Sequence, residues 1–125
     1  MIIDTNALAA WAEADAALLS VLPAEHLLLV PVVVIGEYRY GVLRSQRRDD
    51  LEAWLDRTIR AVRVGLITLA TADSYAAVRI MLRRKGRPIP SNDAWIAALA
   101  LQHRLPVISR DIHLDNVDGL TRVTW

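Results

Sequence analysis

The sequence predicts an α/β protein, a three-layer α/β/α sandwich around a short, mainly parallel central sheet of four to five strands. Three observations carry this expectation. Apolar runs at residues 2–3, 27–30 and 106–108 are short and lack polar–apolar alternation, the pattern of strands buried on both faces. Longer stretches with helical signals separate them, and strands alternating with helices imply right-handed βαβ units. The chain has 125 residues, the length of one ordinary domain, so a single domain over residues 1–125 is expected.

Residues 2–3 form the first strand, ended by Asp4-Thr5-Asn6, which suit a helix N-cap. Alanine-rich sequence then favours a helix as far as Leu19, closed by Pro23. Residues 27–30 make the second strand. Pro31 opens a helix over residues 32–48, since proline suits a first helical turn. Asp49 and Asp50 start an amphipathic helix whose Leu51, Trp54, Leu55, Ile59 and Val62 share one face. Residues 66–69 read as a third short strand. Thr71 caps the next helix, with Ala76, Ala77, Ile80 and Met81 turned inward and Gly86 as its stop. Pro88 and Pro90 make an extended link to a helix that begins at Ser91-Asn92-Asp93 and runs toward Gln102. Residues 106–108 supply the fourth strand, ended by Ser109-Arg110-Asp111. A turn at Asp118-Gly119 leads to a last strand at residues 121–123.

Composition excludes several classes of function. Lys and Arg total 15 against 14 Asp and Glu, a net charge of +1, so no polybasic arm or acidic tail is available for binding by bulk charge. Cysteine is absent, which removes disulfide frameworks, Cys-ligated zinc and thiol nucleophiles. Lys85 is the only lysine. The longest uncharged apolar run, residues 27–36, is interrupted by Pro31 and falls short of the ~20 residues that a bilayer span needs. No Gly-rich phosphate loop is present, and neither Ser91 nor Ser109 sits in a histidine–acid pattern that would make it a nucleophile. No basic leader precedes Ile2, so a protein of the reducing cytoplasm, with no membrane contact, is expected.

Four acids fall where an open parallel sheet puts its ligand crevice, at the carboxyl ends of the strands. Asp4 follows the first strand and Asp111 the fourth. Asp93 begins the helix that feeds the fourth strand, and right-handed crossovers bring helix N-termini to the same rim. Glu37 stands about five residues into its helix, roughly 7–8 Å from the start at 1.5 Å per residue. Val33, Val34, Tyr40 and Gly41 flank it, and a carboxylate on such a face is costly unless something pairs with it. Gly36 and Gly41 lower helix propensity by up to ~1 kcal/mol each, which suggests that something approaches that backbone closely.

Each acid has an ordinary role when taken singly. Asp4 suits an N-cap, Asp93 complements a helix dipole, Asp111 fits a turn, and Glu37 needs a base such as Arg39 or Arg44. Gathered at one rim they repel each other, and a shared divalent cation relieves that repulsion. Hard oxygen donors without sulfur suit Mg²⁺ or Mn²⁺, and such a site polarises a phosphoryl oxygen and activates water for in-line attack on a phosphodiester.

The residues at these positions are similar to a known family. Met1 to Asn6, Pro31 through Gly36-Glu37 to Tyr40-Gly41, Asn92-Asp93-Ala94-Trp95-Ile96-Ala97-Ala98, and Ser109-Arg110-Asp111 with His113-Leu114 and Gly119-Leu120 resemble PIN-domain proteins, above all the VapC-type toxins. The likeness holds in motif order and spacing over essentially the whole chain. It implies an Mg²⁺- or Mn²⁺-dependent endoribonuclease, with Asp4, Glu37, Asp93 and Asp111 as catalytic acids and Asp4, Asp93 and Asp111 as metal ligands. Thr5, Asn6, Asn92 and Ser109 are implied as groups that orient those carboxylates. Also implied are a homodimer, a small cognate antitoxin that wraps the toxin, operator DNA reached only through that antitoxin, and structured RNA of the tRNA or rRNA class as substrate. The sequence departs from the family's pattern in two places. Many relatives carry Ser or Thr in the turn before the Glu, whereas residues 32–36 have no hydroxyl, and Ser109 stands where Thr is common. Asp115 is a further acid that competes with Asp111 for the fourth position.

Arg79, Arg83, Arg84, Lys85 and Arg87 cluster around one helix end, either as a solvated dipole complement or as a patch that tracks RNA phosphates. Arg110, beside Asp111, is the single base most expected to meet a phosphate, with Arg83, Arg84 and Arg87 as further candidates. His26, His103 and His113 show no ligand spacing and read as structural or surface groups. Trp11, Trp54 and Trp95 read as packing residues, and Trp125 as frayed or packed on a dimer mate. Two other readings share part of the pattern. One is a receiver-like Mg²⁺-binding phosphoacceptor domain, which needs a late lysine that Lys85 is badly placed to supply. The other is a non-catalytic PIN-like partner that acts only in a complex on DNA.

Overall fold

Ile2 and Ile3 are wholly buried and form β1 (Ile2–Ile3), the middle strand of a five-stranded sheet. A computed structural model describes residues 1–125. β2 (Leu29–Pro31) and β3 (Arg63–Gly65) lie to one side of β1, and β4 (Val107–Ile108) and β5 (Arg122–Val123) to the other. Every neighbouring pair is parallel, with Ile2 opposite both Leu29 and Val107, and Ile108 opposite both Ile3 and Val123. Helices cover both faces, which is the three-layer arrangement that the apolar strands require.

Six helices connect the strands: α1 (Thr5–Ala12), α2 (Ala16–Leu19), α3 (Val32–Leu43), α4 (Arg48–Ala61), α5 (Leu69–Arg84) and α6 (Ser91–His103). α6 is buried nearly all round through Ala94, Ile96, Ala97, Ala98, Leu99 and Ala100, and its small alanine side chains let it lie close to α5. The aromatic residues pack as the sequence suggests. Trp11 and Tyr38 meet Trp54 edge-on at 5.7 and 5.9 Å, and Tyr75 stacks on Trp95 at 3.9 Å. No helix is long and apolar enough to cross a membrane.

Several expected boundaries move, each for a local reason. The helix expected up to Leu19 breaks at Ala14, whose φ of 53° is left-handed, and Asp15 then caps α2 by accepting from the Leu18 N–H at 3.0 Å. The helix over residues 32–48 ends at Leu43, and α4 starts anew at Arg48. The third strand is not residues 66–69 but Arg63–Gly65. As an edge strand it exposes Arg63 and Val64, so it lacks the apolar signature, whereas Leu66 and Leu69 are exposed and Leu69 already belongs to α5. At Gly65 a Cβ would meet the end of the Leu29 side chain, so a larger residue there would require Leu29 to shift.

Thr68, not Thr71, is the N-cap of α5. Thr71 sits in the first turn, accepts from the Thr68 N–H at 3.0 Å and donates to Gln102 Oε1 at 2.6 Å, which ties α5 to the end of α6. The inward face of α5 is Thr71, Val78 and Leu82, while Ala76, Ala77 and Ile80 are exposed and Met81 is half-buried. This helix carries two apolar stripes, and apolarity alone does not say which one faces α6.

Candidate active site

Chain order places the site. β1 leads outward to β2 and β3, and the chain then crosses back to add β4 on the other side of β1. The carboxyl ends of β1 and β4 therefore flank a topological switch point, where an open parallel sheet leaves a crevice. Asp4 leaves the end of β1 and Ser109 the end of β4, and the Asp4 N–H donates to the Ile108 carbonyl at 3.3 Å. The Glu37 side chain comes from the second turn of α3 and Asp93 from the first turn of α6. Asp4, Thr5, Asn6, Glu37, Asp93 and Asp111 line one cleft of about 530 Å³.

Hydrogen bonds fix two of the four acids tightly. Asp4, only 5% exposed, accepts from the Thr5 N–H at 2.6 Å, from Asn6 Nδ2 at 2.7 Å and from the Ser109 hydroxyl at 2.5 Å. Glu37 accepts from the Thr5 hydroxyl at 2.5 Å on one oxygen and from Asn92 Nδ2 at 2.5 Å on the other. No base pairs with it. Arg39 is bound to Asp56 at 3.0 Å, and Arg44 lies over Tyr40. Asp111 caps the 3₁₀ turn Ile112–Asn116 by accepting from the His113 N–H at 2.8 Å, and its own N–H donates to Ser109 Oγ at 2.9 Å. Asn6 completes the frame by accepting from the Arg110 N–H at 3.1 Å.

Asp93 is the acid that no protein donor satisfies. Its carboxyl is pushed up to about 6, first by burial and then by the negative charges of Asp111, Asp4 and Glu37. Burial also raises the Asp4 carboxyl, against the opposing hydrogen bonds from Ser109, Thr5 and Asn6. The cleft holds more negative charge than its own donors neutralise.

A family model for the PIN domain matches residues 1–120. The chain is 36% identical over 96 residues to "Ribonuclease VapC5" of Mycobacterium tuberculosis, a stretch that spans 74% of this chain and 70% of that protein. The chain belongs to the PIN-domain family. Solved structures of similar fold include VapBC2 from Rickettsia felis bound to a promoter DNA fragment, with a TM-score of 0.87 at 20% identity over 99% of this chain and 97% of that one. FitAcB from Neisseria gonorrhoeae superposes with a TM-score of 0.81 at 24% identity, over 97% of this chain and 94% of that one.

The donor set of this PIN domain fits a hard divalent cation. Carboxylates from four separate elements converge on one cleft, cysteine is absent, and the burial and charge repulsion that together raise the Asp93 carboxyl are what a bound cation would offset. Of the expected ligands, Asp93 and Asp111 bring donor atoms close enough to share one ion, in a group completed by His113 and not by Asp4. Asp115 is elsewhere, gripped by Arg122 at 2.7 and 2.8 Å.

The basic residues do not line this cleft. Arg110 turns away, stacking on Trp125 at 4.3 Å and reaching Asp15 at 3.5 Å, so Trp125 is packed within its own chain. Arg83 borders a second, apolar cleft with Ile80 and Ile89, Arg84 is exposed, and Arg87 comes within 3.5 Å of Asn116 Oδ1. Lys85 is held by Asp118 and by the Asn116 carbonyl, which removes the late lysine of a receiver-like site. The close approach expected at Gly36 and Gly41 is not made by another part of this chain, since nothing beyond their own helical backbone and chain neighbours lies within 4 Å of where their Cβ atoms would stand. His113, expected as a structural or surface group, is exposed, with its Nδ1 3.0 Å from Asp111 Oδ1.

Proposed function

We propose that this PIN domain is an endoribonuclease that cleaves structured RNA of the tRNA or rRNA class by in-line attack of activated water, with Mg²⁺ or Mn²⁺ as cofactor, and that it acts as the toxin of a toxin–antitoxin pair. The observation that carries the reading is the convergence of Asp4, Glu37, Asp93 and Asp111 from four elements onto one cleft, with Asp93 left unpaired and raised to about 6. A bound divalent cation supplies charge neutralisation at the phosphoryl oxygens and activation of the attacking water. Asp93 offers both oxygens, since no protein group occupies them. Asp4 is locked in place by Ser109 and Asn6, and Glu37 by Thr5 and Asn92, so the donors are already oriented when RNA arrives.

The similar proteins support the remaining parts of the reading. A ribonuclease at 36% identity supports the RNA substrate. Structural neighbours described as toxin–antitoxin proteins, and the VapBC2 structure with promoter DNA, support a small cognate antitoxin and operator DNA reached through it. A homodimer and a cytoplasmic location complete the proposal. The test is cleavage of structured RNAs by the purified chain, freed of any antitoxin, with Mg²⁺, Mn²⁺ or EDTA. Cleavage that needs metal, leaves a 5′-phosphate and a 3′-hydroxyl, and disappears in Asp4→Asn and Asp93→Asn is the expected result. Variants that cut as fast as the parent reject the reading.

A further inference from the structure

We propose that His113 supplies a nitrogen donor beside Asp93 and Asp111, so that the site takes a first-row transition ion of the Mn²⁺ class in preference to Mg²⁺. The inference rests on the metal-dependent reading above and deepens it by naming the class of ion.

One donor atom each from Asp93, Asp111 and His113 lie within 4.8 Å of one another, a spacing that a single ion can span. Two contacts bind His113 to Asp111. Its backbone N–H donates to Asp111 Oδ1 at 2.8 Å, and its Nδ1 stands 3.0 Å from the same oxygen. The imidazole and the carboxylate therefore ride on one short turn, which buried Leu114 pins to the core. The His113 side chain is 56% exposed and meets no other acid as an ion pair, so it is free to reorient toward an ion without breaking the core. His26 lies on the turn Glu25–Leu27 and His103 at the far end of α6, so neither competes for the role.

Chemistry then decides the ion. Mg²⁺ is hard, demands near-octahedral oxygen and keeps much of its water, whereas imidazole nitrogen suits the first-row transition ions. A set made only of carboxylates discriminates weakly between Mg²⁺ and Mn²⁺. Exchanging one oxygen for nitrogen tilts the balance toward Mn²⁺.

The experiment uses the full chain, stripped of metal and titrated with Mn²⁺ or Mg²⁺ alone. Pulsed electron paramagnetic resonance of bound Mn²⁺ is expected to show ¹⁴N modulation from a coordinated imidazole, lost in His113→Ala. Calorimetry is expected to show Mn²⁺ affinity falling on the order of tenfold or more in that variant while Mg²⁺ affinity changes little. Bound Mn²⁺ without nitrogen modulation, or an equal loss for both ions, overturns the inference. RNA cleavage separates it from the ribonuclease reading. A chain that binds Mn²⁺ with the nitrogen signature and cuts no RNA overturns only the ribonuclease, and a chain that cuts RNA with nitrogen-free Mn²⁺ overturns only the role of His113. A chain that binds neither ion overturns both.

Discussion

Thr5 and Glu37 are 32 positions apart in the chain, yet the Thr5 hydroxyl donates to Glu37 Oε2 at 2.5 Å. The turn before Glu37 offers no hydroxyl, and one arrives from α1 instead. Asn92, at the start of α6, takes the other oxygen. A carboxylate that had no evident partner in its own helix is thus held between two neighbouring elements.

Thr5→Val and Asn92→Ala are each expected to lower RNA cleavage on the order of 10–100-fold, as loss of an orienting partner commonly does. Both side chains are partly exposed, so melting temperatures are expected to stay close to the parent's. Rates on labelled RNA, set beside thermal melts, check this. A large fall in melting temperature would recast these contacts as structural.

Ser109 is fully buried and serves three groups: it donates to Asp4 Oδ2 and accepts from Asn6 Nδ2 at 3.0 Å and from the Asp111 N–H at 2.9 Å. Ser109→Ala leaves a buried carboxylate and an N–H short of partners, a loss of about 1–3 kcal/mol. Urea denaturation measures it. A variant as stable as the parent would mean that water replaces the hydroxyl.

The acidic cleft makes stability depend on pH. The Asp93 carboxyl is raised to about 6 in the fold, against about 3.9 for an unperturbed Asp. The folded state binds that proton more tightly, so the linked stability is fully present below about pH 4 and is lost as pH rises through about 6. Asp4, also raised, adds in the same direction. Asp93 is only half-buried, and solvent screening cuts its share to on the order of 1 kcal/mol. Calorimetric scans of the metal-free protein are expected to show the melting temperature falling over this range, and falling less in Asp93→Asn. Added Mn²⁺ is expected to stabilise more at neutral pH than in acid, because it needs the ionised carboxylate.

Thr71→Val removes the donor to Gln102 and the acceptor for the Thr68 N–H at a site with no solvent access. The expected cost is about 1–3 kcal/mol in chemical denaturation. Metal binding and RNA cleavage are expected to match the parent, since Thr71 and Gln102 do not line the acidic cleft.

Much of this architecture is legible in the residues themselves. Ile2, Ile3, Val107 and Ile108 are apolar without alternation because both faces of a central parallel strand are covered, and the acids that follow them fall at the rim for topological reasons. Edge elements are harder to read. Arg63 and Val64 keep an exposed face and so resemble a loop, while Leu66 and Leu69 imitate a strand although they are exposed. The two apolar stripes of α5 defeat periodicity as a guide to its inward face. Within the site, residue types announce carboxylates, but only the fold decides that Arg110 turns to Trp125 and that Asp115 goes to Arg122.

β1 lies between β2 and β4, and its two neighbours come from distant parts of the message. During synthesis Asp4 and Thr5 leave the exit tunnel long before Ser109 and Asp111, and the crevice closes only once the latter pair has emerged. A half-made chain therefore carries no complete acidic cleft. On the proposed reading, cleavage begins only when the final third docks, which sets the moment at which an antitoxin has to be waiting.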